Sequence, residues 1–336
     1  MIQTLSCAEA IERMNRYGRQ REPFLFAVDF EMQQPLVLRL SDIPAGELLY
    51  DINGRSNAYG LQPFPIEEVL FEKHPISREQ YGRAFQLVQR HQAAGDTYLL
   101  NLAFPTPVAT NLGLKDVFLR SRAPYRLWWK EHFSCFSPEC FITIREGQIA
   151  SYPMKGTIDA SIPEAHALLL GNEKEKAEHA TIVDLIRNDL SLVARQVRVK
   201  RYRYVEEIQT HQGGLLQSSS EITGLLPDGY LERLGDILFQ LLPAGSISGA
   251  PKQRTVEIIR AAEQQSRGYY TGVCGLFDGR TLDSGVMIRF LEAGAGGLVF
   301  KSGGGITAQS SEAEEYDEMA RKVYLPFLAT AEVLVS

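Results

Sequence analysis

Lys155 lies in the run Tyr152-Pro153-Met154-Lys155-Gly156-Thr157, an amine set between a short apolar stretch and a glycine. Glu139 lies 16 residues upstream in Ser137-Pro138-Glu139. A carboxyl and an amine form either a plain ion pair or an acid/base and nucleophile pair. Two acidic pairs have the same spacing, Glu175 with Glu178 and Glu315 with Glu318. Residues at i and i+3 share a helix face. Two such faces turned toward one point would make an oxygen-rich site for Mg²⁺, whereas taken singly each pair is an exposed helix turn. Arg289 interrupts the apolar run Val286-Met287-Ile288-Arg289-Phe290. An arginine placed there needs a partner, either an internal carboxylate or a ligand carboxylate held by its fork. Gly303-Gly304-Gly305 allows backbone N–H groups to approach an anion, or makes a plain tight turn. Pro243–Lys252 is glycine-rich but lacks the phosphate-loop spacing GxxxxGK[ST]. Asp184, Arg187 and Asp189 share an apolar helix and are expected to pair as structural ions.

The elements that must position these groups can be traced from pattern. Strands are expected at 24–30, 36–40, 48–52 and 98–104, then at 126–136, 141–145 and 148–153. Ser6 with Glu9 and Ser77 with Gln80 are capping boxes; the second opens a helix over 77–94, with Gly95 as its stop. One or two helices cover 164–194, around Gly171-Asn172. Strands return at 197–205 and 215–223, helices at 230–242 and 251–264, strands across 269–306, and a last helix over 311–333. Consecutive strands joined by tight turns predict an α+β fold. Large antiparallel β-sheets pack as a sandwich, with helices on the outer faces. No repeat or linker divides the chain, so one domain over 1–336 is expected.

Composition excludes several classes. The chain's 336 residues, 44% of them hydrophobic, are enough for a large core. Its 41 acidic and 35 basic residues leave a net charge of −6, which gives no footprint for nucleic acid. The local run Arg198–Arg203 alternates and suits a solvated strand face. Cys7, Cys135, Cys140 and Cys274 show no zinc spacing, even with His132 nearby, and are expected to be reduced and buried. With no signal segment and no apolar stretch near roughly 18 residues, a cytoplasmic protein without membrane contact is expected.

These segments together resemble the chorismate-utilising enzymes. The likeness runs in order through GDTYLLNL (95–102), SPECF (137–141), PMKGT (153–157), EKAEHATIVDLIRNDL (175–190) and LLPAGSISGAPK (241–252). It continues through RGYYTGVCG (267–275), MIRFLE (287–292) and GGGITAQSSEAEEYDEMARK (303–322). It covers roughly residues 75–336 as a catalytic core; residues 1–74 are compatible and less diagnostic. The resemblance implies Mg²⁺ contacts from Glu178 and Glu318, with Glu175 and Glu315 acting nearby. It implies that the metal holds the ring carboxylate of chorismate. Arg289, Tyr270 and the amides of Gly303, Gly304 and Gly305 would receive the enolpyruvyl carboxylate, with Lys322 beside the acidic cluster. Thr157, in the lysine motif, would also meet the substrate. A dianion of this kind calls for cations and N–H dipoles in a water-poor site.

Within the family, the lysine of PMKGT is similar to the aminodeoxychorismate synthases; the anthranilate and water-adding branches typically carry alanine there. The resemblance implies that neutral Lys155 attacks ring C2 while Glu139 protonates the departing C4 hydroxyl, and that ammonia then adds at C4. No glutaminase is evident in the chain, so ammonia would come from solution or from a separate glutamine amidotransferase subunit of the component II type. Cys274, in Gly272-Val273-Cys274-Gly275, suits a sheet residue rather than a nucleophile. Two departures stand out. Gln217 occupies a position, seven residues before Gly224, where the family commonly has histidine, and His211 is out of register with it. An amide hydrogen-bonds there but does not act as an acid. Ile158-Asp159 also replaces an arginine that often follows the lysine motif. The rival readings are anthranilate synthase component I and an idle subunit that only scaffolds a glutaminase.

Overall fold

The computed structural model describes residues 2–210, 213–327 and 334–335. Among them the strands form two large sheets. The first runs in the order Met154–Asp159, Gly213–Leu225, Gln148–Ser151, Cys140–Arg145, Leu282–Val286, Val273–Phe277, Phe24–Val28 and Leu36–Arg39, with Arg195–Thr210 also paired to Gly213–Leu225. The second includes Phe71–Lys73, Leu99–Thr110, Gly297–Ile306, Phe290–Gly294, Phe133–Ser137, Tyr125–Trp129 and Leu48–Ile52. Nearly all pairing is antiparallel; the short strand Leu334–Val335 lies parallel to Phe71–Lys73.

Alternation along the strands explains the layering. Leu25, Ala27, Cys274 and Leu276 of the first sheet share a core with Leu48, Tyr50, Leu127, Trp129 and Phe133 of the second. The residues between them point the other way. Phe24, Phe26 and Phe277 pack with Met14 and Tyr17 of the helix Cys7–Gln20 and with Leu238 of Leu234–Leu241. On the far side of the second sheet, Leu49, Trp128, Phe136 and Phe300 pack with Val117 and Phe118 of Leu114–Arg120. The molecule is thus a sheet sandwich with helices outside, as the pattern predicts. Both capping boxes form, at Ser6 and Ser77. The 164–194 segment is two helices, Ala165–Gly171 and Glu173–Ser191.

Several boundaries differ from expectation. The 126–136 segment is two strands of a hairpin, because Glu131 turns left-handed (φ 61°) between Trp129 and Phe133. Of the helix expected over 311–333, the described residues show Glu312–Arg321, capped by Lys322; 328–333 lie outside the described residues. The helix Leu114–Arg120 was not expected. The run 286–290 is not one strand: Val286 ends a strand of the first sheet, Phe290 begins one of the second, and Arg289 lies between them at φ 53°. An apolar run does not reveal that a chain changes sheets. Asp184 and Arg187 do pair, at 2.6 Å, but on the exposed face, where an ion pair contributes little. Asp189 instead pairs with Lys252 at 3.0 Å. No helix among the described residues is long and apolar enough to cross a membrane.

Candidate active site

Two of the places where the chain passes between the sheets lie side by side. One is the turn from Phe133–Ser137 to Cys140–Arg145, which carries Glu139. The other is 287–289, which carries Arg289. Backbone bonds join them: Val286 N donates to Glu139 O and Phe136 N to Arg289 O, both at 3.0 Å. Beside this junction is a cavity of about 150 Å³, lined among others by Glu139, Lys155, Tyr270, Arg289, Gly305 and Lys322. Gly303 also lines it, so seven of the sequence-chosen residues meet there.

Lys155 reaches the cavity from Met154–Asp159, a strand paired on one side only, to Gly213–Leu225. Its Nζ lies 3.5 Å from Glu178 Oε2. A Cβ placed on Gly305 would come within 3.7 Å of the same Nζ, so glycine leaves room for the amine. Gly156 has φ 78°, and a Cβ there would crowd Glu175 Oε2 at 3.2 Å. Glycine thus serves both the turn and the close approach of that carboxylate. The second acidic pair is on the helix Glu312–Arg321. A Cβ on Gly304 would meet Glu315 Oε2 at 3.3 Å, Glu318 Oε1 at 3.6 Å and Lys322 Nζ at 3.8 Å. Lys322 Nζ pairs with Glu318 at 2.6 Å and donates to Gly303 O at 2.9 Å.

Electrostatics follow from burial and these neighbours. Burial pushes the Glu139 carboxyl up, against the Ser246 hydrogen bond and the charges of Lys155, Arg289 and Lys322. Ser246 Oγ donates to Glu139 Oε1 at 2.7 Å, and Glu139 N to Ser137 Oγ at 3.1 Å. For Glu318 burial acts upward, yet the charge and hydrogen bond of Lys322 outweigh it and hold the carboxyl below its ordinary range. His179, next to Glu178 and fully buried, is pushed down to about 4 by desolvation, so it is neutral near pH 7. Its Nε2 lies 2.7 Å from Ser220 Oγ. Burial raises the Cys274 thiol to about 12 within Val273–Phe277, as suits an inert sheet residue.

Thr157 and Gln217 stand apart from the cavity lining. They are cross-strand partners on Met154–Asp159 and Gly213–Leu225, Thr157 exposed and Gln217 buried. His211 lies outside the described residues. Four carboxylates supply the hard oxygen donors that Mg²⁺ takes, and each pair already attracts an ammonium. The Lys155 charge acts on Glu318 too, although among the described residues no three metal-type side chains are grouped to hold an ion. Sequence reasoning missed Ser246 and Asn101. Ser246 lies in the glycine-rich run set aside for lacking a phosphate-loop spacing. Asn101 lines the cavity with its buried Oδ1 unbonded; its signal was a single amide in the apolar run Leu99-Leu100-Asn101-Leu102.

Residues 57–327 match the family described as chorismate binding enzyme. The chain is 52% identical over 316 residues to an uncharacterized PabA-like protein of Pasteurella multocida, covering 94% of this chain and 98% of that one. It is 38% identical over 265 residues to aminodeoxychorismate synthase component 1 of Klebsiella aerogenes, covering 74% of this chain but only 57% of that enzyme. Among solved structures, the menaquinone-specific isochorismate synthase MenF of Escherichia coli is similar with a TM-score of 0.74 at 16% identity, over 96% of this chain and 82% of that one; at that identity the likeness speaks for the fold. The chain belongs to the chorismate-binding enzymes.

Proposed function

We propose that this chain converts chorismate and ammonia to 4-amino-4-deoxychorismate. The observation that carries the reading is Lys155 Nζ at the wall of the same cavity as the buried Glu139 carboxyl. Burial favours the neutral acid, the form able to protonate a leaving hydroxyl. The lone pair of the Lys155 amine attacks ring C2, both ring double bonds shift along the conjugated diene, and the C4 hydroxyl leaves as water with the proton of Glu139. Ammonia adds at C4, both double bonds shift back, and the C2–Nζ bond breaks. The surplus proton on the new amine returns to Glu139, so acid and amine are both restored.

Arg289 is the fork for the enolpyruvyl carboxylate, with Tyr270 and the amides of 303–305 beside it. Bound Mg²⁺ would neutralise the ring carboxylate, with Glu178 and Glu318 as its holders and Glu175 and Glu315 nearby. Ammonia comes from solution or from a separate glutaminase subunit; the Klebsiella relative named a component 1 supports such a partner. Incubation of the pure chain with chorismate, Mg²⁺ and ammonium, followed by chromatography and mass analysis, tests this. The expected product is 4-amino-4-deoxychorismate without pyruvate. Anthranilate with pyruvate would assign the anthranilate reaction instead, and no turnover with any amine source would favour an idle scaffold.

A further inference from the structure

Two residues beside the cavity are held in a backbone conformation that side chains disfavour. Arg289 has φ 53° and Thr271 has φ 61°. For a β-branched residue the left-handed region is a genuine outlier, and such outliers persist only where surroundings over-determine them. The surroundings here are specific. Thr271 N donates to Met287 O at 2.8 Å, and Met287 N donates to Gly272 O at 2.7 Å. The two strained positions are therefore laced together through Met287, two residues before Arg289. The chain has no room to relax on the other side: a Cβ on Gly272 would strike Val28 O at 2.1 Å.

The Thr271 side chain is 1% exposed and is itself engaged. Its Oγ1 donates to Tyr270 O at 2.6 Å and accepts from Arg267 Nη1 at 3.2 Å. Arg267 is buried, is paired with Glu263 at 2.6 Å, and also donates to Ile247 O at 3.1 Å and Asn101 O at 2.7 Å. Ile247, Asn101 and Tyr270 all line the cavity. One hydroxyl thus ties the arginine that gathers two wall segments to the peptide that carries Tyr270, while its amide ties the same peptide to the Arg289 crossover.

We infer that Thr271 is a positioning residue: its strained backbone and its hydroxyl together fix Tyr270 and Arg289 as one anion-binding unit. The inference rests on the cavity being the chorismate site, as proposed above. Its test needs no turnover, so a wrong product assignment leaves it standing. Chorismate affinity is measured by calorimetry without ammonia for the parent, Thr271→Ser and Thr271→Gly, with Tm for each. Glycine accepts the left-handed backbone freely. Thr271→Gly is therefore expected to melt at or above the parent temperature while chorismate binds about tenfold or more weakly. Thr271→Ser keeps the hydroxyl and is expected to bind within about twofold of the parent. With ammonium present, the loss in Thr271→Gly falls mainly on KM. Unchanged affinity in Thr271→Gly overturns the inference. So does a loss that Thr271→Ser shares, or a Thr271→Gly protein that melts well below the parent or fails to fold.

Discussion

Lys155 and Arg289 line one cavity but stand on very different backbone. Lys155 is on a short strand paired on one side only, with the register slipping between Met154 and Thr157. Its side chain is 29% exposed, and its amine makes a 3.5 Å ion pair with Glu178. Arg289 is at the junction of both sheets, where its carbonyl, the neighbouring Met287 and the Glu139 turn are stitched together by backbone bonds. The contrast separates two tasks. Holding a dianion needs donors fixed in advance, which a knitted junction supplies. Forming and breaking a bond from Nζ needs an amine with room to swing, which an edge strand and flanking glycines at 156 and 305 supply. Substitutions on the two walls are expected to fail in different ways.

Lys155→Ala gives the largest expected effect. Removing a nucleophile that acts with Glu139 as a unit is expected to lower amination at least ~10³-fold. It should also abolish the covalent chorismate adduct detected by intact-protein mass. Chorismate affinity should change little, because the anion-holding wall is untouched. Tm should stay near the parent value, because the part-buried pair to Glu178 is long, at 3.5 Å, and makes a weak ion pair. An adduct that survives the substitution would place the nucleophile elsewhere.

Glu139→Gln comes next and sits at the seam between the walls. Loss of a general acid is expected to reduce turnover ~10²–10⁴-fold. The same variant carries a stability prediction. Burial raises the Glu139 carboxyl in the folded state. Its contribution is therefore fully present below the unfolded carboxyl range and is lost as pH rises through the folded value. Glutamine does not ionise, so Tm of the variant should gain on the parent as pH rises out of the ordinary carboxyl range. Turnover by the parent should fall over the same rise, as the acid loses its proton. A Tm difference flat with pH would show that Glu139 ionises in the folded state as it does in water.

How much of this was legible in sequence differs between the walls as well. The edge-strand wall was visible, because a lysine before glycine and two acidic i, i+3 pairs are local patterns, and helix caps at Ser6 and Ser77 mark local starts. Whether the acidic pairs meet depends on where two helices dock: Glu178 pairs with Lys155 and Glu318 with Lys322, and the Lys155 charge acts on Glu318 as well. The junction wall was misread. Val286–Phe290 looks like continuous strand because apolar periodicity records burial, and burial persists while the chain leaves one sheet for the other. A left-handed threonine or arginine leaves no local mark, since neither residue type favours that region; tertiary bonds impose it. Ser246 was missed for a related reason: a hydroxyl in a glycine-rich run acquires its role only when folding brings Glu139 within 2.7 Å.

Arg289→Lys should give the smallest effect of the three, and it tests the comparison most directly. Lysine keeps the charge and tolerates the same backbone about as well as arginine, but it loses the planar fork. It also loses the donor that reaches Tyr324 OH at 3.3 Å and the stack over that ring at 5.3 Å. Losing one charge-assisted hydrogen bond costs about 1.5–3 kcal/mol, or roughly 10–100-fold in affinity. That loss should appear in KM and in chorismate binding, with kcat at saturating chorismate nearly unchanged and the Lys155 adduct still forming. Lys155→Ala and Arg289→Lys would then be mirror images, one binding without bonding and the other bonding once bound. If Arg289→Lys instead lowers kcat while chorismate affinity stays at the parent value, the arginine acts on the reacting ring, and the division between a rigid binding wall and a mobile chemical wall fails.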